Sequence, residues 1–182
     1  TLQHQGLWDE AGRLLGEAAR ALEKGGADFL MICTNTMHKV APIVQQQISI
    51  PLLHIADPTA KSILSLGIRK IGLLGTRFTM QEDFYKGKLM HDHGLAVLTP
   101  MDTDMDMIHQ VIFDELCLGL VKDVSKKKYI AVIKRLGSAG AEGVILGCTE
   151  IGLLIKPPDS PIPLFDTTVI HAEAAVEYAL TV

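Results

Sequence analysis

Apolar positions along the chain keep two rhythms, and the rhythms alternate. Residues 8–24 follow a helical period, with Leu14, Leu15, Ala18, Ala19 and Leu22 on one side, and stop at Gly25-Gly26. FLMIC at 29–33 is a short continuous apolar run, the mark of a strand buried on both faces. The same reading predicts a short helix over 40–47, a strand over 50–55 and a helix over 58–66 closed by Gly67. It continues with a strand at 70–75, a helix at 80–93 and a strand at 95–99. Helices at 105–122 and 126–137, strands at 144–147 and 163–165, and a helix at 167–180 complete the map. Strands that alternate with helices predict an α/β fold with parallel sheets.

The pattern also repeats. GADFLMICTNTMHKVAPIVQQQISIPLLHIAD from Gly26 and GAEGVILGCTEIGLLIKPPDSPIPLFDTT from Gly140 share one order: Gly-Ala-acid, apolar strand, Cys and Thr, helix-like stretch, Ile-Pro-Leu, Asp. Two similar α/β/α halves related by a pseudo-twofold are expected, with a site at the seam where the strands end. The predicted divisions are a first half at 1–68, a second half at 69–165, and a C-terminal helix at 166–182 packing back on the first half. Thr34 lies eight residues after Gly26, and Cys148 eight after Gly140. The repeat therefore sets Thr34, not Cys33, opposite Cys148, since one residue of slip turns a strand side chain to the other face. The second half has two strands and intervening helix before its Cys148 strand that the first half lacks before Thr34. That shortfall, with a start at Thr1, predicts a piece of a longer protein whose first half lacks its N-terminal strands.

Composition narrows the class. At 48% hydrophobic and 21% charged, 182 residues can bury a sizeable core. A net charge of −4, with Lys126-Lys127-Lys128 the one dense basic run, gives no electrostatic case for nucleic acid. No run reaches the roughly 18 apolar residues of a membrane span. Cys33, Cys117 and Cys148 suit neither a disulfide framework nor a zinc site, so a reducing, cytoplasmic setting and a metal-free site are expected. GTRFT lacks the Gly-Lys-Ser/Thr ending of a phosphate loop.

TNTMH at 34–38 and GCTE at 147–150, about 115 residues apart in a duplicated frame, resemble the two signature motifs of the aspartate/glutamate racemases. IGLLGT at 71–76 and FDTT with His171 extend the resemblance over essentially the whole chain, and it is closest to the enterobacterial branch acting on L-aspartate and L-glutamate. The resemblance implies a cofactor-independent amino-acid racemase that removes the α-proton on one face of the substrate and returns one on the other. It implies Cys148 as one acid/base and Thr34 at the position where the usual motif carries a second Cys. It implies Asn35, Thr36, Thr76 and Thr149 as substrate contacts, with Gln3 as a further polar contact near the start. A free thiol titrates near about 8.5 and a helix N-terminus lowers that, so a Cys148 thiolate is expected and abstraction should favour one enantiomer. The family's basic contact for the substrate side chain is often a Lys in an Ile-Tyr-x-x-Ile-Lys-x-Gly pattern. IFDELCLG at 112–119 puts Cys117 there, which leaves acidic side chains and neutral ones, such as homoserine's, both open.

Plainer readings stand beside these. Thr34 can cap a helix, Glu150 can favour a helix start or tune the thiol as an acid/base, and His38 can be a helix-start hydrogen bonder or an auxiliary site group. Cys33 and Cys117 read as core, His54 and His171 as structural, Asp57 and Asp166 as N-caps. A single-thiol decarboxylase of a malonate-type acid and a non-catalytic ligand-binding module remain alternatives. The partner expected is a small amino acid, with room for a homodimer.

Overall fold

The computed structural model describes residues 2, 3 and 5–181. The chain opens with α1 (Trp8–Lys24), β1 (Leu30–Met31), a 3-10 turn (Thr36–Val40) running into α2 (Ala41–Gln45), β2 (Leu52–Leu53) and α3 (Ala56–Ser65). Then come β3 (Lys70–Gly75), α4 (Arg77–Gln81), α5 (Asp83–His91), β4 (Ala96–Leu98), α6 (Asp102–Asp114) and a 3-10 turn (Leu116–Leu118). The last stretch is α7 (Asp123–Ser138), β5 (Gly143–Gly147), α8 (Ile151–Leu154), a 3-10 turn (Pro157–Asp159), β6 (Leu164–Asp166) and α9 (Thr167–Ala179).

Every strand pair is parallel. One sheet holds β1 and β2; the other has the order β4-β3-β5-β6. The α/β expectation therefore holds, and the repeat is visible as register. Leu30 pairs with Leu52 as Val144 pairs with Leu164, and Met31 with Leu53 as Ile145 with Phe165. Even the turns match. Gly26 and Gly140, which open the two copies, have φ of 93° and 95°, a backbone region that glycine enters without steric cost.

The two sheets are buried to different depths. All five residues of β5 are buried, and β3 is buried over its last five. Between them they divide two large clusters, one under α6 and α7 (Ile108, Ile112, Tyr129, Ile133), the other under α3 and α5 (Ile63, Tyr85, Leu89). β1 and β2 are only half-buried, and the cluster beneath them is small: Ala19, Val40 and Val44, flanked by Trp8, Leu15 and Leu52. No helix among the described residues is long and apolar enough to cross a membrane.

Several expectations need correction. In α1 the buried stripe is Ala11, Gly12, Gly16 and Ala19, while Leu14 and Leu22 are exposed; close packing on α2 selects small side chains over the larger apolar row. The helix expected over 80–93 breaks at Glu82, whose backbone is extended. Its carboxylate instead meets Lys39 Nζ at 2.6 Å, and Lys39 also lies over the Trp8 ring. The helix expected over 105–122 stops at Asp114. Glu115 leaves helical geometry and accepts hydrogen bonds from Ser125 Oγ at 2.6 Å and Lys122 Nζ at 3.3 Å. Gly119 then turns left-handed at φ 74°. Asp57 is not an N-cap: it lies inside α3 and pairs with His93 and Lys88. Asp166 does cap α9, accepting from Thr168 N–H.

Candidate active site

The two motifs meet where β1, β3 and β5 end. Gly75 and Gly147 are side by side in the β3–β5 ladder. A Cβ on Gly75 would stand 2.8 Å from the Gly147 carbonyl oxygen, and one on Gly147 2.8 Å from that of Leu74. Only glycine permits that approach, which brings the following residues, Thr76 and Cys148, to the wall of one cavity of about 250 Å³. Gln3, Thr34, Asn35, Thr36, Thr149 and Glu150 share the lining. Cys33 does not line it, whereas Thr34 and Cys148 both do. Cys33 is exposed rather than core.

One wall is a hydroxyl cluster. The Oγ1 atoms of Thr36 and Thr76 are 3.0 Å apart, and Thr79 Oγ1 lies 3.4 Å from the first and 3.2 Å from the second. Thr76 also caps α4, accepting from Thr79 N–H. Asn35 is buried and its amide orientation is settled by a chain of bonds. Thr167 spends its one hydroxyl proton on the Leu146 carbonyl at 2.9 Å, so its oxygen accepts from Asn35 Nδ2 at 2.9 Å. That leaves Asn35 Oδ1 buried with no hydrogen-bond partner among the described residues. Leaving a buried acceptor unpaired costs about 1–3 kcal/mol, which a bound N–H group would recover. Thr79 and Thr167 were missed in the sequence because each acts through another side chain.

The opposite wall comes from the break in the helix. With Glu115 out of helical geometry, Leu116 is buried in the core and Cys117 turns to the cavity beside Ile112 and Phe113. Cys117 is exposed, so its expected place in the core is corrected. His38 lies outside the cavity lining and is buried, which favours its reading as a helix-start hydrogen bonder over that of an auxiliary site group. Its Nδ1–H donates to the Thr34 carbonyl at 2.8 Å and its Nε2 accepts from Ile55 N–H at 3.1 Å, which defines one neutral tautomer. Burial first, eased by the bond to Thr34, takes its pKa down to about 4. His38 is thus a brace under the Thr34 turn. His171 is likewise structural, bonded to the Leu53 carbonyl.

Over residues 1–175 the sequence matches the Asp/Glu/hydantoin racemase family. The chain belongs to that family. A Yersinia pestis protein provisionally described as an Asp/Glu racemase is 51% identical, with a TM-score of 0.93 over 98% of this chain and 78% of its own. An aspartate racemase homologue from Pyrococcus horikoshii OT3 is 38% identical, with a TM-score of 0.85 over the same shares. The broad specificity amino-acid racemase RacX of Bacillus subtilis is 26% identical over 175 residues, 92% of this chain and 72% of its own.

In this racemase-family chain the electrostatics of Cys148 differ from the thiolate expected. The α8 helix behind it spans only Ile151–Leu154, too short for a strong dipole. Cys148 is partly buried against the core, and its Sγ–H donates to Glu150 Oε2 at 2.9 Å. Burial, then the bond to Glu150 and its charge, push the thiol well above its ordinary range. Burial opposes ionisation of Glu150, yet the bonds donated by Cys148 and by the Thr149 hydroxyl at 2.7 Å outweigh it, and the carboxyl sits below its ordinary range. The resting pair is a thiol beside a carboxylate. Thr34 is exposed, and its Oγ1 accepts from Met37 N–H at 3.3 Å, so the capping role and the cavity position coexist. Among the described residues no cluster of His, Cys, Asp and Glu could hold a metal.

Proposed function

We propose that the protein is a cofactor-independent amino-acid racemase in which Cys148 and Thr34 work on opposite faces of the substrate Cα. One observation carries this reading: Thr34 and Cys148 line one small cavity together with the amino-acid anchors. The Thr36 and Thr76 hydroxyls and the Gln3 amide can donate to an α-carboxylate, whereas the Thr149 hydroxyl gives its proton to Glu150 at 2.7 Å. Asn35 Oδ1 and the Glu150 carboxylate can accept from an α-ammonium. Cys148, as thiolate, takes the α-proton; the Thr34 hydroxyl returns a proton to the other face and is reprotonated by solvent. A hydroxyl is a far weaker base than a thiolate, so initiation belongs to Cys148 and one enantiomer is the better substrate.

The lining also bears on the side chain. Glu150 is the one charged residue among the described lining residues, and the rest of the side-chain end is Met37, Ile112, Phe113 and Cys117. An acidic side chain would meet a like charge and no described cation, which disfavours it. We therefore favour neutral amino acids over aspartate and glutamate. The relative RacX, named as broad in specificity, points the same way.

The test is exchange of the Cα hydrogen for solvent deuterium across a panel of L- and D-amino acids. Cys148→Ala should lower it about 10²–10⁴-fold for every substrate turned over. Full exchange in that variant would end the reading.

A further inference from the structure

The Cys148–Glu150 contact is an unusual resting arrangement for a base. A carboxylate 2.9 Å from the sulfur holds the thiol proton in place, because ionising both groups would set two negative charges against each other. The other titratable groups facing the pair are few. Cys117 reaches in from the 3-10 turn at Leu116–Leu118 and is itself shifted up by burial and by Glu150. Tyr129, on α7, is fully buried with its hydroxyl donating to the Ile108 carbonyl, and burial keeps it neutral. None of these supplies a positive charge. Among the described lining residues there is no positive charge, and an amino acid brings one on its α-ammonium.

We propose that Glu150 is a charge gate: it keeps Cys148 a thiol while the cavity holds no amino acid, and the arriving α-ammonium offsets its charge so that the thiol proton leaves. The proton passes from Sγ to Oε2 and on to solvent, the S–H bond breaking as an O–H bond forms and is then given up. The pair goes from one negative charge to two as the zwitterion enters: its ammonium lies against the pair, and its carboxylate, which carries the opposing charge, is held away from it on the Thr36, Thr76 and Gln3 donors of the same lining. Asn35 lies in the same lining, and its Oδ1 is buried without a hydrogen-bond partner among the described residues; in the proposal it is the second acceptor for the ammonium. Glu150 is a catalytic residue in this account, since it touches the substrate ammonium and carries the thiol proton. The benefit is protection: an exposed thiolate is readily alkylated or oxidised, and the gate confines it to the occupied site. The inference rests on the reading of Cys148 as the base.

Three measurements test it. Iodoacetamide labelling of Cys148, followed by peptide mass spectrometry in the free protein, should be about tenfold faster at neutral pH in Glu150→Gln, with the midpoint of its pH profile moved down. In the same variant KM for the amino acid should rise by more than kcat falls. In the unmodified protein, α-aminoisobutyrate, which has no α-hydrogen to exchange, should raise thiolate ultraviolet absorbance, and its N-acetyl derivative should not. This last arm stands whether or not the variant folds. Equal labelling and an unmoved midpoint in a folded Glu150→Gln protein, or no absorbance change with α-aminoisobutyrate, overturns the gate. Retained exchange in Cys148→Ala would instead remove the base itself, so the two failures are distinct.

Discussion

The two copies of the repeat end on the same cavity, yet they are built to different standards. The second presents Cys148 from a fully buried five-residue strand, paired on both sides and packed into the main core. The first presents Thr34 from a half-buried two-residue strand paired on one side, with the turn steadied by a single buried histidine. A residue that must remove a proton from carbon needs a defined, partly dry position, because desolvation and neighbouring charge set its basicity. A residue that only passes on a proton from solvent can be exposed, and Thr34, the proposed relay, is exposed. Among the described residues the two copies keep the same register while their support differs, and the proposed chemistry lies on the better-supported side.

The difference in support is open to direct attack. Ile145, fully buried on β5, should cost about 2–5 kcal/mol when cut to Ala. Met31, its half-buried counterpart on β1, should cost about 1–2 kcal/mol when cut to Ala. Urea unfolding of the two variants compares them, and equal losses would erase the distinction between the sheets.

The brace under Thr34 makes a smaller prediction with a pH signature. His38 and His54 titrate at about 4 and about 3 in the fold against an ordinary 6.5, chiefly through burial. The unfolded chain takes up protons below pH 6.5 that the folded chain refuses. This contribution is therefore intact above about pH 6.5, declines as the pH falls, and levels off below about 3. His38→Gln should lose about 1–3 kcal/mol near neutral pH and should flatten the decline between 6.5 and 4. Denaturant midpoints across that range would show it, and an unchanged slope would place the acid sensitivity elsewhere.

Much of this was legible in the sequence, and the gaps have physical causes. The order of strands and helices follows from periodicity, the preference for Thr34 over Cys33 in the cavity from the repeat, and the polar set Asn35, Thr36, Thr76 and Thr149 from the family resemblance. Periodicity could not see the breaks at Glu82 and Glu115, because each is one residue traded for a tertiary partner, Lys39 in one case and Ser125 with Lys122 in the other. The second break is what carries Cys117 to the cavity. Nor could spacing reveal that Glu150 turns back on Cys148. A thiolate was expected from a helix start, but α8 is one turn long and the nearest charge is negative.

The central claim is the asymmetry between the two faces, and one measurement addresses it most directly. Initial rates of Cα-hydrogen exchange with solvent deuterium, taken separately from the L and D forms of the same neutral amino acid, report which face is attacked first. The account predicts clearly unequal rates in the unmodified protein, and a rise about tenfold or more for the slower enantiomer in Thr34→Cys, where a thiol replaces the hydroxyl. Equal rates from both enantiomers in the unmodified protein would contradict it.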